Sequence, residues 1–171
     1  MERKDAITFG GSPLTLVGKE LLVGDTAPNF TVTKTDLSPL SLKEFLGKTI
    51  VISAMPSIDT PVCEIQTIRF NKEIEKLQDV VLLTISMDLP FALNRFCGAK
   101  DIKNAITTSD YKDREFSHNY GLYIKELGLI SRAVIIIDKN GKIRYTEYLK
   151  EITEEPDYTK ALEALKTIKN L

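Results

Sequence analysis

The chain has 171 residues, 43% hydrophobic and 27% charged, which suits one soluble globular domain over 1-171 and leaves no long disordered tract. Lys and Arg number 23 against 24 Asp and Glu, a formal net charge of -1, so no basic surplus exists to bind nucleic acid or an anionic membrane surface. Two cysteines and one histidine do not make a disulfide framework or an ordinary zinc site, which leaves redox chemistry against inert packing.

The opening MERKDAITFGG turns polar too soon for a signal peptide, and no apolar run approaches bilayer length, so the chain reads as cytoplasmic. Ala6 to Phe9 and Leu14 to Val17 are short β-prone runs around Gly10-Gly11-Ser12-Pro13, which predicts an N-terminal hairpin. Thr49 to Ala54, Val80 to Ile85 and Ala133 to Ile137 are near-continuous apolar runs of strand length, expected where a strand is covered on both faces. Between the first two, Val62, Ile65, Ile68, Ile74 and Leu77 recur at roughly helical spacing, with Glu64, Lys72, Glu73 and Lys76 for the wet face; this predicts a crossover helix. Further helices are expected from about Leu89 to Cys97, stopping at Gly98, from about Arg114 to Tyr120, and from Pro156 onward. Asp138 to Gly141 supplies turn chemistry before Lys142 to Leu149, so a second hairpin follows the last central strand and the sheet is mixed. The fold class is α/β.

The stretch Met55 to Cys63 joins a buried strand to the crossover helix, at the strand end where open α/β folds place their ligands. Thr60 suits the N-cap and Pro61 the first helical position, so Cys63 falls in the first turn, where free N–H groups and the helix dipole favour an anion such as a thiolate. Taken alone, a cysteine at a helix start is as well read as a small inert hydrophobe. Arg132, just before an apolar strand, reads by position as a solvated strand-end charge. Cys97 alone reads as a buried thiol at a helix end.

The pattern Pro56-x-x-x-Thr60-x-x-Cys63 resembles the active-site signature of the peroxiredoxins. Ser57 to Cys63, Arg95-Phe96-Cys97-Gly98-Ala99 and Glu151 to Tyr158 are similar to the bacterial thiol peroxidase branch of that family, an atypical two-cysteine subgroup, and span most of the chain. The resemblance implies a thioredoxin-like fold with an N-terminal β-hairpin extension. It also implies reduction of hydrogen peroxide and organic hydroperoxides without metal, haem or flavin, with Cys63 as peroxidatic thiolate and Cys97 as the resolving thiol of an intramolecular disulfide. Thr60 would hydrogen-bond thiolate and peroxide, Pro56 would shield the pocket, and Arg132 would supply the cation. Thioredoxin as reductant and a homodimer are further implications.

Two rival readings come from the same residues. A general disulfide oxidoreductase would want Cys-x-x-Cys at the helix start, but position 66 is Gln66. A redox sensor could use the two cysteines as a switch; it would oxidise once, whereas an enzyme turns over. His118 is read as structural, for want of a Cys-His-Asn arrangement around it. The aromatic residues Phe91, Phe96, Phe116, Tyr120 and Tyr123 read as core or pocket packing. Glu151, Glu154, Glu155 and Asp157 read as a solvated turn that caps the last helix.

Overall fold

The structure, a computed structural model, describes residues 1–169. Eleven strands, four α-helices and one 3₁₀ turn form two sheets among the described residues. The N-terminal hairpin is β1 (Glu2–Phe9) and β2 (Ser12–Val17), turned on Gly10 and Gly11 alone. Both glycines have positive φ, +56° and +85°, as a two-residue hairpin loop requires, and Ser12-Pro13 therefore belongs to the strand and not to the turn. Two short strands, β8 (Tyr123–Ile124) and β9 (Leu129–Ile130), extend this hairpin to a four-stranded sheet.

The main sheet contains β3 (Thr31–Lys34), β4 (Pro39–Ser41), β5 (Thr49–Ala54), β6 (Val80–Ser86), β7 (Ala105–Ser109), β10 (Ala133–Ile137) and β11 (Ile143–Tyr148), in the order β11-β10-β5-β6-β7-β3-β4. The central strands β5, β6 and β7 are parallel; β10 and β3 pair antiparallel to them on either side, and β11 and β4 pair antiparallel to those, so the sheet is mixed. The parallel pairs need crossovers, and these are α1 (Pro61–Ile74) between β5 and β6 and α2 (Pro90–Lys100) between β6 and β7. The short α3 (Glu115–Asn119) and the C-terminal α4 (Tyr158–Lys169) complete the set.

Every residue of β10 is buried, because the sheet is covered on both faces. One face carries Ile50, Ile52, Leu83, Ile85 and Ile135 against Phe30, Phe116 and Tyr120. The other carries Val51, Leu82, Val134 and Ile136 against Phe70 and Ile74 of α1 and Ala161 and Leu165 of α4. Burying side chains of this size stabilises the fold by about 1.5–3 kcal/mol each.

Two expectations about helices need correction. The buried stripe of α1 is Cys63, Gln66, Thr67, Phe70 and Ile74, while Ile65 and Ile68 are 49% and 39% exposed. The helix is rotated so that its polar residues face the sheet, where they find hydrogen-bond partners that offset the cost of burying them. Helix α2 does not stop at Gly98; it runs to Lys100 and ends on Asp101, which takes the left-handed conformation (φ 53°) and donates its N–H to the Cys97 carbonyl. A single interior glycine costs a helix only about 1 kcal/mol, which packing of Leu93 and Phe96 outweighs.

Candidate active site

Past Ala54 the chain keeps one more sheet bond, from Met55 N to the Ile85 carbonyl (3.1 Å), and then turns into the loop that precedes α1. Pro56 is buried. Asp88 fastens this loop: its carboxylate accepts from Ser57 Oγ, Ile58 N and Ser86 Oγ, each at 2.7 Å, tying the start of α1 to the end of β6. Thr60 is the N-cap, with extended φ and ψ, and its Oγ1 accepts from Cys63 N at 3.3 Å while facing the Ser57 carbonyl at 3.4 Å. Pro61 occupies the first turn, and Cys63 sits there too, with a side chain 0% exposed.

Arg132 comes from the other side, at the start of β10, and is only 2% exposed, so it is not a solvated strand-end charge. All three of its donor nitrogens that bond are committed: Nε to the Ile152 carbonyl (2.9 Å), Nη1 to Gln66 Oε1 (2.8 Å) and Nη2 to Cys63 Sγ (3.2 Å). Because a guanidinium only donates, Gln66 must turn its oxygen to Arg132, which leaves Nε2 to donate to Ser53 Oγ at 2.7 Å. Thr67 donates to the Cys63 carbonyl at 2.9 Å, one helical turn back. No salt bridge among the described residues includes Arg132. The sulfur of Cys63 is therefore the group in contact with this buried cation that can become an anion.

Cys97 lies near the end of α2 and is partly exposed. Its sulfur is hydrogen-bonded to Thr107 Oγ1 of β7 at 3.0 Å, and it packs at the edge of a small apolar cluster of Met55, Ile58, Cys63, Leu93 and Phe96. Both cysteines are free, and each sulfur has a different partner. The structure thus brings Thr60, Cys63 and Arg132 into one hydrogen-bonded site and puts Cys97 on its margin.

Gln66, Ser53 and Ile152 belong to the same network and were not singled out from the sequence as site residues. Ser53 had a signal, as the one polar side chain in the otherwise apolar interior of β5; the Ile152 carbonyl had none, since any residue type offers one. His118 stands apart: its ring stacks on Tyr123 and its Nδ1 meets the Arg114 carbonyl at 2.8 Å. Among the described residues no group of three or more His, Cys, Asp or Glu side chains could hold a metal ion, and no helix is long and apolar enough to cross a membrane.

The site lies within residues 22–162, which match the Redoxin family model, so the class of the protein is that of the redoxins. A thiol peroxidase of Bacillus subtilis is 52% identical over 162 residues, 95% of this chain and 97% of that protein, and one of Halalkalibacterium halodurans is 50% identical over 161 residues, 94% and 97%. Among solved structures, a peroxiredoxin-like protein from Aquifex aeolicus has a TM-score of 0.90 at 40% identity, covering 96% of this chain and 97% of that one. A thiol peroxidase from Chromobacterium violaceum, at 21% identity and a TM-score of 0.87, shares the fold. Within the redoxins, the chain belongs to the thiol peroxidases of the peroxiredoxin family, which are oxidoreductases.

Proposed function

We propose that this protein reduces hydrogen peroxide and organic hydroperoxides at Cys63, that Cys97 resolves the oxidised sulfur as an intramolecular disulfide, and that thioredoxin restores both thiols. The observation that carries the reading is the hydrogen bond from Arg132 Nη2 to Cys63 Sγ, made by a buried guanidinium with no carboxylate partner among the described residues. Isolated buried charge is costly, and this one is aimed at the sulfur that the peroxide reaction needs as its nucleophile.

The thiolate attacks one peroxide oxygen; the S–O bond forms as the O–O bond breaks, the sulfur loses two electrons, and the departing oxygen leaves as water or an alcohol once protonated. Thiolate content alone does not explain a fast reaction. For any cysteine, lowering the pKa from about 8.5 to about 6 raises the thiolate fraction at pH 7 roughly thirtyfold, and lower nucleophilicity returns roughly tenfold of that. The larger share must come from holding the O–O bond in line with sulfur and stabilising charge on the leaving oxygen. Arg132 supplies a fixed cation for this, and Thr60 a hydroxyl whose 3.4 Å approach to the Ser57 carbonyl is long enough to be given up for a peroxide oxygen. Pro56, buried in the loop that leads to α1, is read as the residue that keeps water from the sulfur.

The product is a Cys63 sulfenic acid. The Cys97 thiol condenses with it, forming the S–S bond, breaking S–O and releasing water, before further peroxide can carry Cys63 to sulfinic acid. A dithiol reductant such as thioredoxin then exchanges with the disulfide. Both electrons come from sulfur, so the cycle calls for no metal, haem or flavin. The homodimer and the cytoplasm belong to this reading through the resemblance to the family.

Peroxide consumption coupled to thioredoxin and its reductase tests it. Cys63→Ser is expected to abolish turnover, Cys97→Ser to complete one turnover and stall, and Arg132→Ala to lose at least about a hundredfold in rate. Undiminished turnover by Cys63→Ser would place the chemistry elsewhere, and a wild type that oxidises once without turning over with any dithiol would mark a sensor.

A further inference from the structure

In the parallel part of the main sheet, the register pairs Ser53 of β5 with Thr84 of β6, and Thr84 with Thr107 of β7. Residues paired in this way point to the same face, on strands about 4.8 Å apart, so three hydroxyls form a row across the sheet. The row lies under the two crossover helices: Ser53 Oγ accepts from Gln66 of α1, and Thr107 Oγ1 is bonded to Cys97 of α2. The row one step closer to the strand starts on this face, Val51, Leu82 and Ala105, is apolar.

Each end of the row leads to one cysteine. From Ser53 the hydrogen bonds run through Gln66 and Arg132 to the Cys63 sulfur, and at the far end Thr107 meets the Cys97 sulfur directly. The middle member differs. Thr84 Oγ1 is buried and is the side-chain polar atom left without a hydrogen-bond partner among the described residues. A buried hydroxyl in that state disfavours the arrangement that buries it. Valine, of the same shape and of high strand propensity, would fill the position without that cost.

We propose that Thr84 is a positioning residue for the resolving step: its unpaired hydroxyl weakens the seating of α1 and α2 on the sheet, and so sets how readily Cys63 and Cys97 leave their separate partners and meet. The inference rests on the Cys63 to Cys97 disulfide of the preceding section. A disulfide needs its own Cα spacing and sulfur geometry, and here one sulfur is held by Arg132 and the other by Thr107, so each must leave its partner for the bond to form. When the first turns of α1 and the last turn of α2 lift, the Thr84 hydroxyl becomes free to bond to water. The seated arrangement is the one that reacts with peroxide, because only there does Arg132 touch Cys63.

The test follows reduced protein after one equivalent of peroxide, quenched and resolved by mass spectrometry into thiol, sulfenic acid, disulfide and sulfinic acid. Thr84→Val is expected to react with peroxide at the wild-type rate, to form the disulfide roughly tenfold more slowly, to accumulate more Cys63 sulfinic acid in excess peroxide, and to resist denaturant better than wild type. Thr84→Ser keeps the hydroxyl and is expected to form the disulfide at close to the wild-type rate. Disulfide formation at the wild-type rate in Thr84→Val overturns the proposal, as does an equal slowing of both steps, a Thr84→Val protein less stable than wild type, or a Thr84→Ser protein as slow as Thr84→Val. A wild type that turns over with no Cys63 to Cys97 disulfide removes the resolving role itself, whereas a normal wild-type disulfide with an unaltered Thr84→Val removes only the role of Thr84.

Discussion

Arg132 does three things with one side chain: it ties the Ile152 carbonyl, orients Gln66 and touches Cys63 Sγ. Lysine at this position would keep the charge but lose the planar fork that lets three partners be held at fixed angles. Arg132→Lys is therefore expected to retain a minor part of the peroxide rate, above that of Arg132→Ala, and competition kinetics for Cys63 oxidation would show the order. Gln66 acts through Arg132. Gln66→Leu keeps the bulk but leaves the Nη1 donor without its acceptor, at a cost of about 1–3 kcal/mol in stability by urea denaturation, and about tenfold in the peroxide step if the guanidinium loses its aim. Stability lost with the peroxide step unchanged would show that Ile152 and the surrounding packing suffice to position the fork. At this scale the Pro56-x-x-x-Thr60-x-x-Cys63 spacing pointed to three of the site residues, and the family resemblance added Cys97 and Arg132. Position alone misplaced Arg132 and passed over Gln66, since burial and a contact across 66 residues of chain are not local properties.

At the scale of elements, α1 shows where periodicity misleads. Its apolar residues Val62, Ile65 and Ile68 outline a face by pattern, yet the buried face carries Cys63, Gln66 and Thr67, because the sheet beneath offers Ser53, the Met55 sulfur and Arg132 as partners. The cap that starts this helix was legible, and Thr60→Ala is expected to cost about 1 kcal/mol in thermal or denaturant unfolding through loss of the Oγ1 bond to Cys63 N. The carboxylate cluster after β11 is divided in its roles. Asp157 Oδ1 accepts from Lys160 N at the start of α4, whereas Glu151 reaches back to the N-terminal hairpin and accepts from Thr8 Oγ1, Gly10 N and Gly11 N. A hydrogen bond from Thr153 Oγ1, together with those from Thr8, Gly10 and Gly11, pulls the Glu151 carboxyl down to about 2 from the usual 4.5. A carboxyl held lower in the folded state stabilises it fully above 4.5, and loses that contribution as pH falls toward 2. Amide exchange at Gly10 and Gly11 is expected to speed up through that window, beyond the intrinsic pH effect, in wild type and not in Glu151→Gln, where the clamp is already weakened.

For the whole molecule, the strand order decides what is rigid. β5, β6 and β10 lie inside the main sheet with side chains packed on both faces, so their amides are expected to exchange slowest, and Phe70→Ala, which empties the contact between α1 and the sheet, to cost about 3–5 kcal/mol. Oxidation with one equivalent of peroxide is expected to raise exchange in the first turn of α1 and the last turn of α2 while the central strands stay protected; exchange unchanged around both cysteines would count against the disulfide between them. The sequence by itself determined the hairpin, the three apolar central strands, the crossover helix with its Thr60-Pro61 start, and the position of Cys63 in the first turn, because turn chemistry, capping and strand hydrophobicity act over a few neighbouring residues. It did not show β3, β4, β7 and the short strands β8 and β9, whose runs are too brief or too polar to stand out, nor the true end of α2 at Asp101. Only the tertiary structure decided which face of α1 is buried, that Arg132, named as the cation through resemblance alone, is buried and donates to the Cys63 sulfur, and that a row of hydroxyls links the partners of the two cysteines. Those depend on strand order and register, which bring together residues far apart in the chain through pairings that local propensity does not encode.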